Sequence, residues 1–159
     1  YGLNQQQFGY AFGMNAFGIV LLSTVNKRLA HQFSVLSRLK IGAMLQLIGS
    51  SILFVAGLMG QIPLWIVLSG MFLAVAGIGF TGPNAMALAM SEQGSRAGTA
   101  SAIMGSMQFA CGLLGGVILN FMIWNALVNM GLVMLMFVVV AFLAIMQLNT
   151  PIHHERTNT

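Results

Sequence analysis

The chain has 159 residues, of which 58% are hydrophobic and 5% are charged, and its mean hydropathy is +0.89. This composition leaves too little polar surface to coat a soluble globule, so it predicts that lipid covers much of the molecule. The net charge of +4 comes mainly from basic residues that lie between two apolar stretches, a pattern that favours membrane topology over nucleic-acid binding.

Long uncharged stretches predict helices that cross a bilayer. A hydrocarbon core about 30 Å thick needs roughly 20 helical residues, and the run from Val133 to Met146 lacks the alternation of a membrane β-barrel. The predicted spans cover residues 8–26, 41–60, 64–90, 97–121 and 128–148. The predicted fold class is therefore all-α, a polytopic membrane bundle of about five helices in residues 1–149, followed by a cytoplasmic tail in residues 150–159.

The first predicted span places an amide on an aromatic stripe. Its spacing aligns Phe8, Phe12, Asn15 and Ile19 on one face of a helix. Phe12 and Asn15 are therefore candidates for the wall of a solute cavity. The alternative is that Asn15 hydrogen-bonds a neighbouring helix and serves packing alone.

Basic residues follow the first span and indicate its orientation, because positive side chains in short loops stay on the cytoplasmic side. With five spans, the loop at 27–40, the loop at 91–96 and the tail share one side, and that side holds every Lys and Arg. The residues expected to set this topology are Lys27, Arg28, Arg38, Lys40 and Arg96. The N-terminus of this chain is then predicted to be periplasmic and its C-terminus cytoplasmic.

The third predicted span is long and interrupted. Pro83 removes the hydrogen bond that the Gly79 carbonyl would accept, so Gly82 and Pro83 predict a kink or hinge. Unpaired backbone at membrane depth must be covered by protein, by a side chain or by cavity water. Phe80 and Asn84 are cavity candidates here, with the alternative that Asn84 only caps the freed carbonyl.

The fourth predicted span combines small residues with an amide near mid-membrane. A track of glycines lets another backbone approach closely, so packing is their first predicted function. These glycines are Gly98, Gly105, Gly112 and Gly116. Met104 and Gln108 are further cavity candidates, because an amide facing water both donates and accepts and Met suits a promiscuous pocket. Most Met residues are nevertheless expected to fill gaps between helices.

The titratable residues do not form a recognisable catalytic or metal site. Glu92 and Glu155 are the two carboxylates, and His153 and His154 have no third ligand beside them. We therefore predict no catalytic residue, no metal, no cofactor and no enzymatic activity.

Three motifs carry a family resemblance. They are Asn26-Lys27-Arg28-Leu29 followed by Ile41-Gly42, the segment GFTGPNAMALAM at 79–90, and the segment AGTASAIMGSMQFACGLLGG at 97–116. These motifs resemble the C-terminal half of major facilitator superfamily (MFS) transporters. More narrowly, they resemble the bicyclomycin and chloramphenicol resistance (Bcr/CflA) subfamily of drug/proton antiporters.

The resemblance implies that the five spans are helices eight to twelve of a twelve-helix fold, of which helices eight, ten and eleven approach the central site. The chain would then be a fragment of a multi-pass transporter of the bacterial inner membrane. The seventh helix, the N-terminal half and the acidic residues for proton coupling would lie outside it.

The activity that the resemblance implies is efflux of small molecules in exchange for protons, by alternating access. The implied partners are the lipid bilayer, a small-molecule substrate, protons and the missing N-terminal half. Two alternatives stay open, namely an MFS carrier of a defined metabolite such as a sugar or an organic anion, and a non-transporting membrane scaffold subunit.

Overall fold

The computed structural model describes residues 2–60, 62–91 and 93–148, and all of their regular structure is helical. The helices are α1 (Gln5–Leu29), α2 (Val35–Met59), α3 (Leu64–Ala76), α4 (Ile78–Met90), α5 (Ala97–Phe121) and α6 (Ala126–Gln147), with a 3-10 turn at Gly94–Arg96 before α5. The predicted tail at 150–159 lies outside the described residues, as do His153, His154 and both carboxylates, Glu92 and Glu155.

Five helical segments in the described residues are long and apolar enough to cross a membrane. Four of them are single helices, and the fifth, Leu64–Met90, consists of α3 and α4 in succession. The predicted fold class, an all-α polytopic membrane bundle, is confirmed.

The start of α1 is set by a reciprocal cap. The Asn4 Oδ1 atom accepts a hydrogen bond from the Gln7 backbone N–H at 2.8 Å, and the Gln7 Oε1 atom accepts one from the Asn4 N–H at 3.0 Å. This capping box satisfies backbone donors that no helical carbonyl can reach. At the other end Lys27 and Arg28 occupy the last turn of α1, where the helix dipole favours positive charge.

The helix α2 begins inside the predicted loop at 27–40. The Ser34 Oγ atom accepts a hydrogen bond from the Ser37 backbone N–H at 3.1 Å and caps a helix that begins at Val35. Arg38 and Lys40 therefore lie in the first two turns of α2, although charge alone placed them in the loop. Long basic side chains are tolerated near a helix end because their stems cover apolar surface while their charged groups reach towards the interface.

The helix α2 is the centre of the packing, with α3, α4 and α6 against it, while α1 packs on α3 and α4. Small residues make these approaches possible. A Cβ atom at Gly49 would collide with the Ala74 backbone, and one at Gly57 would lie 2.7 Å from the Val128 nitrogen. Such close backbone contacts are typical of helices that associate in membranes.

The helix α5 is much more open. A Cβ atom would meet no described atom within 4 Å at any of the four glycines predicted to pack, Gly98, Gly105, Gly112 and Gly116. Gly115, which was not singled out, is the one buried residue of α5. A Cβ atom at this position would lie 3.6 Å from the ring of Phe137 on α6.

Candidate functional site

The interruption of the third span is a packed bend. The span breaks at Gly77, and the Gly79 carbonyl freed by Pro83 accepts hydrogen bonds from Ser23 Oγ at 3.4 Å and from Asn26 Nδ2 at 3.5 Å. A Cβ atom at Gly79 would lie 2.6 Å from the Ile19 carbonyl oxygen. Side chains of α1 thus cover the unpaired backbone, as its depth in a membrane requires.

The same side chains extend into a buried polar group, which we call the Asn26 cluster and which consists of Ser23, Asn26, Arg38 and Asn84. Asn84 Nδ2 donates to Asn26 Oδ1 at 2.9 Å, and Arg38 Nη1 donates to the same oxygen at 3.0 Å. Only 4% of Asn26, 9% of Arg38 and 2% of Asn84 is exposed. The cluster therefore joins α1, α2 and α4 in the interior of the bundle.

The charged guanidinium of Arg38 donates its hydrogen bonds to neutral oxygen atoms. Arg38 donates further hydrogen bonds to the Asn26 carbonyl and to the Phe33 carbonyl, both at 3.3 Å. The described ranges of the chain contain no Asp or Glu, so the oxygens of an amide and two peptide groups hold the guanidinium. Leaving such a charge without these acceptors would cost the desolvation energy of a buried ion.

The side chain of Asn84 hydrogen-bonds to other parts of the protein and does not face an open cavity in this structure. Its Nδ2 group also donates to the Phe80 carbonyl at 2.7 Å, so the amide supports the backbone next to the bend. The freed Gly79 carbonyl itself is covered by Ser23 and Asn26. Sequence reasoning missed this role, although an acceptor freed by a proline at membrane depth implies donors on a neighbouring helix.

Phe80, the other candidate on α4, is 3% exposed. A Cβ atom added at Gly42 of α2 would lie 2.6 Å from the Phe80 Cβ, so the start of this side chain lies directly on α2. The structure therefore places Phe80 and Asn84 together inside the packing of α4.

The remaining cavity candidates lie on open or half-open faces of two other helices. Phe12 is 69% exposed on α1, Asn15 is half-buried three residues further on, and on α5 Met104 is half-buried while Gln108 is exposed. The structure thus does not bring all six candidates to one place. The α1 pair and the α5 pair each keep surface that the described residues leave uncovered.

Three amides near the middle of the membrane lack partners. Asn15, Gln46 and Gln108 lie 10 or 11 residues into α1, α2 and α5, which is about 15 to 17 Å at 1.5 Å per residue. Among the described residues none of these three side-chain amides makes a hydrogen bond. They differ in this from Asn26 and Asn84, whose amides both make hydrogen bonds to other residues.

The basic residues named above differ in how far they are exposed. Lys27, Arg28 and Arg96 are exposed, Lys40 is half-buried, and Arg38 is buried in the Asn26 cluster. Arg38 was predicted to mark topology, and the structure adds a packing role to it. No group of metal-binding side chains occurs in the part of the chain that the structure describes.

The opposite end of the bundle is held by two asparagines of α6 and the turn before it. Asn125 accepts the Val128 N–H at 2.8 Å and donates to the Gly57 carbonyl at 3.2 Å, which ties the start of α6 to the end of α2. Asn129 donates to the Trp124 carbonyl at 3.0 Å. Asn125 therefore fixes the start of α6 against the end of α2, and Asn129 holds the turn before α6.

Two curated proteins are similar to the chain. A bicyclomycin resistance protein homolog from Haemophilus influenzae is 30% identical over 116 residues, which are 73% of this chain and 29% of that protein. The Bacillus subtilis protein YdgK, described as an uncharacterized MFS-type transporter, is 30% identical over 118 residues, which are 74% of this chain and 28% of that protein. The chain is similar to both proteins over nearly three quarters of its length.

These matches confirm the resemblance inferred from the motifs, and they are consistent with a C-terminal MFS segment. The chain spans less than a third of the length of either relative. No protein-family model matches the chain, and no solved structure matches it. Together with the five apolar segments of the described residues, the matches point to a multi-pass membrane protein.

Proposed function

We propose that the chain is part of a secondary transporter that exports small, partly apolar molecules in exchange for protons by alternating access. The observation that carries this proposal is the relationship to MFS-type transporters, one of which is named for bicyclomycin resistance. Neither relative is named as an enzyme, and we propose no enzymatic activity for this chain.

The distribution of polar groups supports a solute path along α1 and α5. Asn15 and Gln108 lie at mid-membrane depth without hydrogen-bond partners among the described residues, and Phe12 and Met104 lie within one turn of them. An amide that faced only hydrocarbon would lose its water hydrogen bonds without compensation. A cavity between these two helices and the N-terminal half would instead supply water or a solute.

The cavity we propose is uncharged on this side. Phe12, Asn15, Met104 and Gln108 offer rings, thioethers and amides, which suit compounds that are partly apolar and vary in shape. The carboxylates that accept and release protons would then belong to the N-terminal half. Each proton that crosses would contribute about 2.3 kcal/mol per 100 mV of membrane potential.

The proposed orientation follows the positive side chains. Lys27 and Arg28 lie at the end of α1, and Arg96 lies just before α5, so with five spans they are on the same side of the membrane as the start of α2. Short loops rich in positive charge remain cytoplasmic. We therefore place α1 with its N-terminus in the periplasm of a bacterial inner membrane. A cysteine-accessibility assay on intact cells, with reporter cysteines at Leu3 and His31, should label the first and not the second.

Transport by the full-length protein tests the main proposal. In everted membrane vesicles that carry a proton gradient, addition of bicyclomycin or chloramphenicol should release protons. The variants Asn15→Ala and Gln108→Ala should each lower this flux about 3- to 10-fold, because each loses a hydrogen bond worth about 0.5 to 1.5 kcal/mol. The matched control is Ile48→Ala, at similar depth on an exposed face of α2, and it should keep the wild-type flux.

The outcomes separate the competing functions. Unchanged flux in both amide variants would contradict the assigned solute path. Exchange of a sugar or an organic anion, with no response to either drug, would replace efflux by a metabolite carrier. Absence of any flux from correctly inserted protein would favour a scaffold subunit.

A further inference from the structure

The guanidinium of Arg38 has one edge that the Asn26 cluster does not use. Its Nε and Nη1 groups donate to the Phe33 carbonyl and to two oxygens of Asn26. The Nη2 group, which carries two N–H donors, makes no hydrogen bond to a described residue. It is not enclosed either, because the buried side-chain atom that lacks a partner among the described residues is Asn129 Oδ1. The Nη2 group therefore reaches the surface as an unpaired cationic donor.

The position of Arg38 along α2 matches the head-group layer of a bilayer. The helix begins at Val35, and its uncharged stretch begins at Ile41, three residues after Arg38. At 1.5 Å per residue, the Arg38 Cα atom lies about 4.5 Å before that stretch. A bilayer about 40 to 45 Å thick with a hydrocarbon core of about 30 Å leaves head-group layers about 5 to 7 Å deep. With the uncharged stretch in the hydrocarbon core, Arg38 lies at the depth of the lipid phosphates.

Other positive side chains lie near Arg38 in sequence, and the described residues supply no acid to balance them. Lys27 and Arg28 occupy the last turn of α1, just before the short connection to α2, and Lys40 lies about half a turn beyond Arg38. The described ranges contain neither Asp nor Glu, so none of their carboxylates can pair with Nη2. Basic residues next to a membrane attract anionic lipids. The free edge of Arg38 thus suits an anion, and the bilayer supplies phosphates at this depth.

An exposed aromatic residue beside Arg38 favours a lipid over a free anion. Phe33, whose carbonyl accepts from Arg38 Nε at 3.3 Å, is 46% exposed in the turn before α2. An exposed apolar ring is stabilised by contact with acyl chains, and inorganic phosphate offers no such contact. The charged donor and the apolar ring together match a ligand that has both an anionic and an apolar part.

We infer that Arg38 Nη2 binds the phosphate group of an anionic phospholipid at the junction of α1, α2 and α4, with the ring of Phe33 against the apolar part of the lipid. The hydrogen bonds of Nε and Nη1 hold the planar guanidinium in place beforehand, so little side-chain freedom is lost on binding. The phosphate supplies the anionic acceptor that the described residues do not provide. This inference goes beyond the proposed function, because it requires neither the solute path nor proton exchange.

Thermal unfolding of the full-length protein in a neutral detergent tests the inference. Phosphatidylglycerol should raise the midpoint of unfolding about 3 °C more than phosphatidylcholine at the same mole fraction. Arg38→Gln should abolish this difference between the two lipids, whereas the matched control Arg28→Gln, at an exposed position of α1, should keep it. The comparison is made between lipids within one variant, so a lower midpoint of Arg38→Gln itself does not affect it. Both ends of the bundle meet lipid in detergent, so the proposed orientation does not affect it either.

Several results would overturn the inference. An equal effect of the two lipids on the wild type would mean that no anionic lipid is selected, and an equal loss in both variants would mean that the lipid binds a diffuse basic surface. Inorganic phosphate that reproduces the gain would assign the site to a free anion. A lipid preference without drug-driven proton flux in vesicles would contradict the proposed function alone, and flux without the preference would contradict this inference alone.

Photolabelling provides a second measurement that needs no variant of Arg38. A phosphatidylglycerol with a diazirine close to its head group is irradiated with the wild-type full-length protein, and the labelled peptides are identified by mass spectrometry. The label should appear on the peptide that contains Phe33, and an excess of unlabelled phosphatidylglycerol, but not of phosphatidylcholine, should remove it. Labelling that both lipids displace equally, or that misses this peptide, would contradict the site.

Discussion

The helices α2 and α5 have similar sequences, but α2 is closely packed and α5 is largely uncovered. Each has 25 residues, each carries several glycines and each has a glutamine near its centre. The glycines of α2 face neighbouring backbones at contact distance, whereas the track on α5 has open space around it. Glycine spacing therefore indicates that a helix can be approached closely, but it does not identify the neighbour or show whether that neighbour lies within the same stretch of chain.

The largest effect that tests this comparison is expected at the α2–α3 crossing. Gly49→Ala should cost about 3 kcal/mol or more, because its new Cβ atom would collide with the backbone of Ala74 and lie 2.6 Å from the Gly70 carbonyl oxygen. The measurement is the yield and thermal midpoint of the full-length protein after detergent extraction. A variant as stable as the wild type would show that α2 and α3 are not packed this closely.

A smaller loss is expected where the start of α2 is held by α1. Asn26→Leu removes the shared acceptor of Arg38 and Asn84, and we expect a loss of about 2 kcal/mol from these buried polar groups. Thermal unfolding of the full-length protein measures it, with Thr24→Val as an exposed control on the same helix.

A double-mutant cycle sharpens that result. Adding Arg38→Leu to Asn26→Leu should cost less than Arg38→Leu alone, because the guanidinium is no longer left without its acceptor. Strict additivity of the two changes would mean that the Asn26–Arg38 contact contributes nothing to stability.

The smallest effect is expected on α5. Gly112→Ala should change the free energy of unfolding by less than about 1 kcal/mol, since the added Cβ atom meets no described atom within 4 Å and alanine favours the helix. The same thermal assay on full-length protein measures it beside Gly49→Ala. A loss as large as that at Gly49 would show that the N-terminal half packs tightly over this glycine.

The number of helical spans could be predicted from the sequence because its signal is local. Runs of apolar residues define five membrane segments, and the segments Leu64–Met90 and Ala97–Phe121 have the predicted bounds. The helix α2 begins six residues before the predicted span at 41–60, because the Ser34 cap sets its start. A cap depends on the backbone geometry of one helical turn, whereas the position of a charged residue reflects its distance from the membrane interface. The start of a helix and the edge of a membrane span therefore need not coincide.

The candidate site was predictable only in part. The sequence identified polar residues at mid-membrane depth on α1 and α5, and their role in a solute path stays a prediction. The hydrogen bonds of Asn84 could not be predicted from the sequence, because its partner Asn26 is 58 residues away. The Asn26 Oδ1 atom accepts hydrogen bonds from both Asn84 and Arg38. Likewise, only the packing of α2 shows that the Gln46 amide makes no hydrogen bond among the described residues.

By itself, the sequence determined that this protein is a bundle of apolar helices with a proline-interrupted span and a family resemblance that the relatives confirm. Hydrophobicity, helix length and proline chemistry act along the chain, so they can be read residue by residue. Only the tertiary structure decided which glycines touch, which amides are engaged and that a buried arginine rests on neutral oxygens. Those outcomes depend on contacts between distant segments, and no local pattern specifies which segments meet.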